Sequence, residues 1–368
     1  MSGRLLVTAS PGEVRAAALG ADGRLADFAI WRPGAPDGVG DIYRGFVAKR
    51  VPALSGAFVS LGHGSDGFLP DTQGAAGKAE GDSVIVRITR SAQGGKGPRL
   101  SAQVDETLAA GPPGLLKRGP DPVLRLARLW PDAPIEVDEP TILARLSAVL
   151  PGRARAGGGF DAVLEEEVAS LAEPTIRLAG EAILHIHPTP ALVAIDLDAG
   201  SAAGSREPAR MVHQPLNLAA IPEISRQIRL RNLSGAILVD LAGLVPRQRR
   251  RLADVFAASL SSDPLRPRFL GFTALGLAEI VRPRVGPPLH ELLTGAHAAG
   301  LSALRKIAAE DRAAPRSAWA LRAAPAIVAA LEQDAAALDT LARLTGRPLI
   351  LRSDPALAPL RWIVERLP

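Results

Sequence analysis

The sequence predicts an α+β protein of several domains, in which a small β-barrel is followed by alternating strands and helices. With 368 residues, the chain is long enough for two or three domains. Between Gly40 and about residue 105, short apolar segments alternate with glycine-rich turns, which is typical of a small antiparallel barrel. From Thr175 onward, helices separate apolar strands, which predicts a sheet covered on its faces.

Composition narrows the class of protein. A hydrophobic fraction of 47% is that of a globular chain. No apolar run is long enough to cross a bilayer, and the first residues lack the pattern of a signal peptide, so we expect a cytoplasmic protein with no membrane partner. The absence of cysteine excludes disulfides, cysteine-ligated zinc and thiol nucleophiles.

The net charge of +5 is carried mostly by arginine. Guanidinium groups bind phosphate as a fork and stay charged, so the surface favours phosphate-rich partners. A coding bias toward arginine and alanine explains the choice of arginine over lysine well, but it explains the net positive charge less well. Charge alone therefore leaves contact with nucleic acid open.

The N-terminal part of the chain predicts a hairpin followed by a barrel. The hairpin is predicted in residues 3–32 and reverses at a polar turn. Five strands of the barrel are then predicted in the segments IYRGFVAKRV, SGAFVSLG, HGSDGFLP, DSVIVRITRS and AQGGKGPRLSAQV.

Three of the aromatic residues in this barrel stand out, in a chain of which only 4% is aromatic. Tyr43, Phe58 and Phe68 are surrounded by basic residues, namely Arg44, Lys49, Arg50, Arg87, Arg90, Lys96 and Arg99. Exposed rings among cations are what a single-stranded nucleic acid needs, since bases stack on the rings and phosphates meet the cations. Alternatively, the phenylalanines belong to the barrel core.

Residues 105–175 predict a segment of strands and helices interrupted by proline. The cluster Glu165, Glu166 and Glu167 lies on a predicted helix. A solvated helix face explains it better than a catalytic acid does.

In the following segment, His185 and His187 share one face of the predicted strand AILHIHP, because side chains alternate along a strand. This spacing fits either a zinc pair or a polar strand face, and no third ligand stands out. Beyond the strands, RPRFLGFTALGLAEIVRPR predicts a strand, a loop and a short helix.

Carboxylates follow two apolar strands directly. Asp196 and Asp198 share one face of ALVAIDLDAG, and Asp240 ends AILVD after the intervening helix. If the two strands are neighbours, three carboxylates converge, which is costly unless a cation neutralises them. Oxygen ligands fit Mg²⁺ or Mn²⁺, an ion that activates water for attack on a phosphodiester. The alternative is that Asp198 and Asp240 merely begin turns.

These segments resemble the ribonuclease E/G endoribonucleases. GDIYRGFVAKRVPALSGAFVSLGHGSDGFLP resembles the S1-like OB-fold module of that family, and ALVAIDLDAG and ISRQIRLRNLSGAILVDLAGL resemble its two catalytic motifs. Asn217 and ALGLAEIVRPR also resemble family positions. The resemblance covers residues 1–105 and 175–290 well and the C-terminal seventy residues only faintly.

The resemblance implies a domain organisation. We expect an RNase H-like scaffold split between residues 1–37 and 106–175, and an S1-like OB-fold at 38–105 inserted in it. A DNase I-like catalytic subdomain at 176–294 and a small α/β domain at 295–368 follow. Independently of the resemblance, the pattern of the last segment predicts Trp319 and Trp362 in its core.

The resemblance also implies residue roles. Phe58, Phe68 and Lys96 match RNA contacts, and Asp196 and Asp240 match ligands of Mg²⁺. Asp198 stands where the family usually has asparagine, so it is expected either to bind the ion or to orient the attacking water. Apart from the resemblance, Tyr43 and Arg44 are candidates for RNA contact. Arg226, Arg229 and Arg231 are weaker candidates for phosphate contacts, since an exposed helix face has the same pattern.

Two departures from the family pattern stand out. No Arg–Thr pair matches the pocket that reads a 5′-monophosphate, so we expect internal entry into RNA. The paired cysteines of the zinc link are replaced by LLTGAHAAGLSAL, so no zinc is expected and a homodimer would not be bridged by it. The sequence thus predicts a Mg²⁺-dependent endoribonuclease of single-stranded RNA in RNA processing or decay. The alternative is a non-catalytic RNA-binding protein that keeps the fold.

Overall fold

The computed structural model describes residues 3–104, 111–178, 181–200, 209–243, 246–313 and 317–367. In chain order, its strands are β1 (Arg4–Ser10), β2 (Glu13–Leu19), β3 (Leu25–Trp31), β4 (Ile42–Val51), β5 (Gly56–Ser60), β6 (Gly67–Pro70), β7 (Ser83–Arg90), β8 (Arg99–Ser101), β9 (Gly114–Lys117), β10 (Ile135–Val137), β11 (Ala154–Ala156), β12 (Thr175–Arg177), β13 (Ile183–Pro188), β14 (Val193–Asp198), β15 (Gly235–Asp240), β16 (Arg268–Phe272), β17 (Ala278–Arg282), β18 (Ala318–Ala323), β19 (Ile350–Ser353) and β20 (Trp362–Leu367). Its helices are α1 (Pro122–Leu129), α2 (Pro140–Val149), α3 (Ala162–Ser170), α4 (Ala209–Leu230), α5 (Pro246–Leu260), α6 (Leu289–Leu293), α7 (Ala296–Ala313), α8 (Pro325–Glu332) and α9 (Ala335–Thr345).

The chain forms two compact units, each made of separate segments. The first unit comprises residues 1–36, 122–173 and 289–368, and the second comprises 37–121 and 174–288. The barrel and the aspartate-bearing strands therefore belong to one unit. The expected boundary between residues 105 and 106 lies outside the described residues.

A five-stranded sheet opens the first unit, in the order β11-β10-β1-β2-β3. Strands β1, β2 and β3 run antiparallel, whereas β1, β10 and β11 run parallel. The predicted hairpin is thus a three-stranded meander, because the chain also reverses between β2 and β3. The assignment of this sheet to an RNase H-like scaffold stays a prediction.

A buried ionic network joins this sheet to helices of the same unit. Glu13, only 4% exposed, accepts hydrogen bonds from Arg32 and from Arg305 at 2.9 Å. Arg15 donates to both carboxylate oxygens of Glu165, at 2.6 and 2.7 Å. Glu165 is therefore not simply part of a solvated helix face, since it neutralises an arginine that is itself buried.

The C-terminal segment of this unit has a three-stranded sheet in the order β19-β18-β20, covered by α7, α8 and α9. Trp319 is 6% exposed and Trp362 packs against the same cluster. Both tryptophans thus contribute to the core as predicted.

In the second unit, a closed five-stranded barrel has the order β4-β5-β6-β8-β7, and β7 returns to pair with β4. All of these pairs are antiparallel except β6–β8. Five strands closed in this way fit the predicted OB-fold. Strand β9, which the sequence did not predict, pairs with the start of β4.

The second sheet of this unit has the order β12-β13-β14-β15-β17-β16, and β14 and β15 run parallel. Helices α4 and α5 pack on one face, where Ile221, Ile224 and Phe256 meet Ile195 and Val239. The residues that alternate with these core positions are exposed or half-buried. Only one face is therefore covered by these helices, in contrast to the prediction.

Two further predictions about this sheet were wrong in detail. The short helix expected near residue 278 is strand β17, because Ala278 and Ile280 alternate toward the core and pair with β15. The sequence also predicts a helix in the segment IPEISRQIRLRNL, whereas helix α4 begins earlier, at Ala209, and contains Pro215 and Pro222. The DNase I-like assignment stays a prediction.

Within the described residues, no helix is long and apolar enough to cross a membrane.

Candidate active site and nucleic-acid interface

The candidate active site lies on the face of the second sheet that α4 and α5 leave open. Asp196 in β14 and Asp240 in β15 are paired residues of neighbouring parallel strands. Paired residues point to the same side of a sheet, and parallel strands lie about 4.8 Å apart. Both aspartates are exposed, while Ile195 and Val239 beside them are buried in the core. Apolar strands can therefore end in carboxylates because only one face is buried.

Asp198 lies two residues further along β14 and is exposed on the same face. Its Oδ1 atom accepts a hydrogen bond of 2.9 Å from the backbone N–H of Gly200. Gly200 has a positive φ of 59°, which suits glycine. Asp198 thus shapes the turn that follows the strand.

Asp196 and Asp240 have no ion pair or side-chain hydrogen bond with other described residues. Among all the residues that the structure describes, no group of three or more His, Asp or Glu side chains is placed to hold a metal ion. The predicted convergence of three carboxylates is therefore not observed as a complete ligand set. What the fold provides is a pair of carboxylates, and Mg²⁺ commonly uses one or two together with water and phosphate oxygens.

The loop after Asp240 is held by helix α4. Asn217 is fully buried, and its Nδ2 donates to the carbonyl oxygen of Ala242 at 2.8 Å. His213 packs so closely on Gly243 that a Cβ there would meet its Nδ1. In the sequence, Asn217 stands out only as a position that resembles the family. His213 was not predicted, because an isolated histidine carries no signal of such a role.

A polar row crosses the open face. Thr175, His185, Asp196 and Asp240 are successive cross-strand partners on β12, β13, β14 and β15. The Oγ1 of Thr175 lies 3.3 Å from the Nδ1 of His185. The two-residue spacing predicted that His185 and His187 share a face, but only the register places them beside the aspartates.

A second row, of two aromatic residues flanked by basic residues, crosses the barrel, and we call it the barrel row. Lys49, Phe58, Phe68, Arg99 and Arg90 are successive cross-strand partners. The rings of Phe58 and Phe68 are half-buried, with centroids 5.7 Å apart and planes inclined by 65°. Arg99 lies 6.0 Å from the centroid of the Phe68 ring. The barrel thus presents two rings flanked by cations.

Further cations lie near this row. Lys96 is exposed in a tight turn, where its backbone exchanges two hydrogen bonds of 3.0 Å with Gln93. Burial, and next the charges of Arg99 and Arg284, lower the pKa of Arg90. This mutual repulsion indicates a local excess of positive charge that an anion would relieve.

Tyr43 and Arg44 do not belong to this surface, although both were predicted to contact RNA. Tyr43 is 3% exposed and lies in the barrel core, where burial and then the charge of Asp41 raise the pKa of its hydroxyl. Arg44 is 7% exposed and pairs with Gly114 of β9. The unpredicted strand covers this end of β4.

The arginines at the C-terminal end of helix α4 and directly after it also form hydrogen bonds within the protein. Arg226 pairs with Glu223 at 3.0 Å, and Arg229 donates to the carbonyl oxygen of Ser262 at 2.8 Å. Arg231 is 5% exposed and donates to Gln227. These contacts hold the helix in place, so the prediction of phosphate contacts is not supported for these residues.

Comparison with known proteins agrees with this geometry. The model of the ribonuclease E/G family matches residues 160–285, which include all three aspartates. This segment of the chain is thus similar to the ribonuclease E/G family.

The relatives differ in how much of this chain, and of their own length, the alignment covers. Ribonuclease E of Nostoc sp. is 36% identical over 121 residues, which are 33% of this chain and 18% of that protein. Ribonuclease G of Salmonella typhimurium is 30% identical over 131 residues, 35% of this chain and 27% of that protein. Ribonuclease G of Escherichia coli K12 is 24% identical over 408 aligned positions, 80% of this chain and 82% of that protein. The match to the Nostoc protein thus spans about a fifth of its length.

Proposed function

We propose that the chain is an endoribonuclease that hydrolyses single-stranded RNA with the help of a divalent cation, in RNA processing or decay. The observation that carries this proposal is the cross-strand pairing of Asp196 with Asp240 on an open sheet face. Two unpaired carboxylates this close repel each other, and a cation shared with an RNA phosphate would remove that cost.

The residues present fit Mg²⁺ or Mn²⁺, since both ions prefer oxygen ligands. When bound, such an ion offsets negative charge on the reacting phosphate and makes a water molecule a better nucleophile. Asp196 and Asp240 would hold it directly. Asp198 keeps the turn after β14 in shape, which favours a positioning role over that of a third ligand.

In this proposal, the barrel binds the RNA. Phe58 and Phe68 are placed to stack unpaired bases, and Lys49, Lys96 and Arg99 to meet the phosphates. Bases in a duplex are not free to stack on side chains, which favours single strands. Within the second unit, a backbone hydrogen bond of 2.9 Å from Ser91 to Val285 ties the barrel to the segment after β17.

The relatives named ribonuclease E and ribonuclease G support an RNA substrate. Entry at internal sites without reading a 5′-monophosphate remains part of the proposal, because the sequence lacks the expected Arg–Thr pair. A homodimer, if formed, needs an interface other than a cysteine-ligated zinc, since the chain has no cysteine.

One observation favours a second candidate, an RNA-binding protein without turnover. The described residues contain no complete set of three metal-ligating side chains. The barrel row would then be the functional surface, and the aspartate pair would be a remnant.

A cleavage assay separates the two candidates. The full-length protein is incubated with a fluorescent A/U-rich single strand and Mg²⁺ or Mn²⁺. We expect cleavage that Asp240→Asn reduces by about 100-fold or more, a loss of several kcal/mol in stabilisation of the transition state. RNA affinity should persist in this variant.

Asp254→Asn is the matched control, because Asp254 is an exposed carboxylate on helix α5, which packs on the opposite face of the sheet, and should not affect the rate. Binding without cleavage under every divalent ion tested would establish the second candidate instead. Equal cleavage of a duplex of the same sequence would contradict single-strand selectivity.

A further inference from the structure

Two imidazole rings on strand β13 have no evident role in holding the fold. The ring centroids of His185 and His187 are 6.2 Å apart, and the ring planes are within 9° of parallel. His187 is exposed and His185 is half-buried. Neither ring has an ion pair with another described residue, and Thr175 provides the one side-chain hydrogen bond observed there, to His185.

The register places these rings beside the candidate catalytic pair. His185 is the cross-strand partner of Asp196, which is itself the partner of Asp240. His187 lies in the next row of the same face, about 6.6 Å further along, since a strand rises about 3.3 Å per residue. The imidazoles therefore border the position where the proposed reaction takes place.

The next row has a different chemistry from the aspartate row. His187 pairs with Ala194, Ala194 with Leu238, and Leu238 with Glu279. Ala194 and Leu238 are half-buried, so they form a low apolar floor on the open face. An imidazole ring stands at one end of this floor and a carboxylate at the other.

We propose that this floor and the two imidazoles hold the unpaired base of the nucleotide next to the cleaved phosphate. The inference rests on the proposed nuclease function and names the subsite that positions its substrate. Histidine rings stack on splayed-out bases of single-stranded RNA, and stacking tolerates any base. A zinc pair explains the two histidines less well, because no group of three side chains placed to hold a metal ion is found within the described residues. His187 and His185 are thus positioning residues that require the nucleotide at the site to be unpaired.

Binding without catalysis provides the first test. Single-stranded RNA decamers carrying one 2-aminopurine, moved position by position, are added to the full-length protein in EDTA. Stacking quenches this fluorophore. We expect a quenched position that His187→Ala releases and His187→Phe, which keeps a flat ring, preserves. Phe58→Ala is the comparison, because it should weaken binding of every decamer without selecting a position.

Cleavage kinetics provide the second test. His187→Ala should lower kcat/KM by about five- to 150-fold, the loss expected for one stacked base. Replacing the nucleotide at that position by an abasic one should lower the wild-type rate to a similar extent and affect His187→Ala little further. His187→Phe should retain most of the activity.

The outcomes separate failure of the inference from failure of the proposed function. If His187→Ala leaves quenching unchanged at every position, the stacking subsite is refuted, whether or not the protein cleaves RNA. If His187→Phe is as impaired as His187→Ala, a ring nitrogen is needed and stacking is again refuted. If quenching follows the expected pattern while no divalent ion supports cleavage, the subsite stands and the nuclease proposal fails.

Discussion

Asp196 and Asp240 are cross-strand partners in neighbouring parallel strands, and their side chains lie on the sheet face opposite helices α4 and α5. Each follows a residue buried in the core, Ile195 and Val239 respectively. Alternation along the strand is what permits an apolar segment to end in a carboxylate without burying charge. The pair is the structural basis of the proposed chemistry.

Replacement of Asp198 should be tolerated much better than replacement of Asp240. Asparagine at position 198 can still accept the hydrogen bond from the backbone N–H of Gly200, so Asp198→Asn should retain a cleavage rate within about tenfold of wild type. Asp198→Ala removes this acceptor, which contributes about 1 kcal/mol to stability. Initial rates on the fluorescent single strand measure both. A loss in Asp198→Asn as deep as that in Asp240→Asn would show that Asp198 is a ligand.

Phe58→Ala should weaken RNA binding by about five- to 150-fold, because it removes one stacking ring from the barrel row. Fluorescence anisotropy of a labelled single strand measures the change. Tyr43→Phe is the matched control, since Tyr43 is buried and should not affect affinity. Equal losses in the two variants would mean that the barrel is perturbed as a whole.

Cleavage should not depend on the 5′ end of the RNA. The chain lacks the Arg–Thr pair expected of a 5′-monophosphate pocket, so oligonucleotides with 5′-monophosphate and 5′-hydroxyl ends should be cleaved at equal rates. Parallel time courses on the two substrates test this. A several-fold preference for the monophosphate would refute internal entry and indicate another phosphate pocket.

Glu165→Gln should lower the free energy of unfolding at neutral pH, and the difference from wild type should shrink in acid. Burial by itself raises the pKa of Glu165, but hydrogen bonds from Arg15 and the charges of Arg15 and Arg305 outweigh it and lower the pKa. A lowered pKa contributes stability above the ordinary value of 4.5, and this stability is lost as the pH falls through the folded-state value.

Urea denaturation at pH values on either side of 4.5 measures this contribution. The effect should be modest, because the Glu165 side chain is 40% exposed and solvent screens the pair. Glu166→Gln is the control, as Glu166 is an exposed neighbour on the same helix. A difference that persists unchanged in acid would show that Glu165 acts by packing and not by charge.

Much of the barrel could be predicted because glycine-rich turns separate its strands and because apolar and polar residues alternate along each strand. Phe58 and Phe68 were found from composition and position, and the pairing of β5 with β6 then places them opposite each other. Tyr43 and Arg44 looked equivalent in sequence but lie at the end of β4 that β9 covers. That strand comes from a distant proline-rich segment, and nothing local signals its pairing.

The arginines of helix α4 show the same limit. Sequence places Arg226, Arg229 and Arg231 on one helix but does not reveal that Glu223, Ser262 and Gln227 accept their hydrogen bonds. Ser262 follows helix α5, so its contact with Arg229 depends on how the two helices pack. An exposed basic face and an internally bonded one have the same local pattern.

Sequence alone is enough to show that carboxylates follow two apolar strands and that rings and cations share a barrel, because burial and alternation are local properties of each strand. Which strands are neighbours, and in what register they pair, is known only from the tertiary structure. Register sets Asp240 opposite Asp196 and His185 beside it, and it depends on hydrogen bonds between segments far apart in the chain. The sequence of each strand therefore gives the residues of the site, whereas the pairing of the strands gives its geometry.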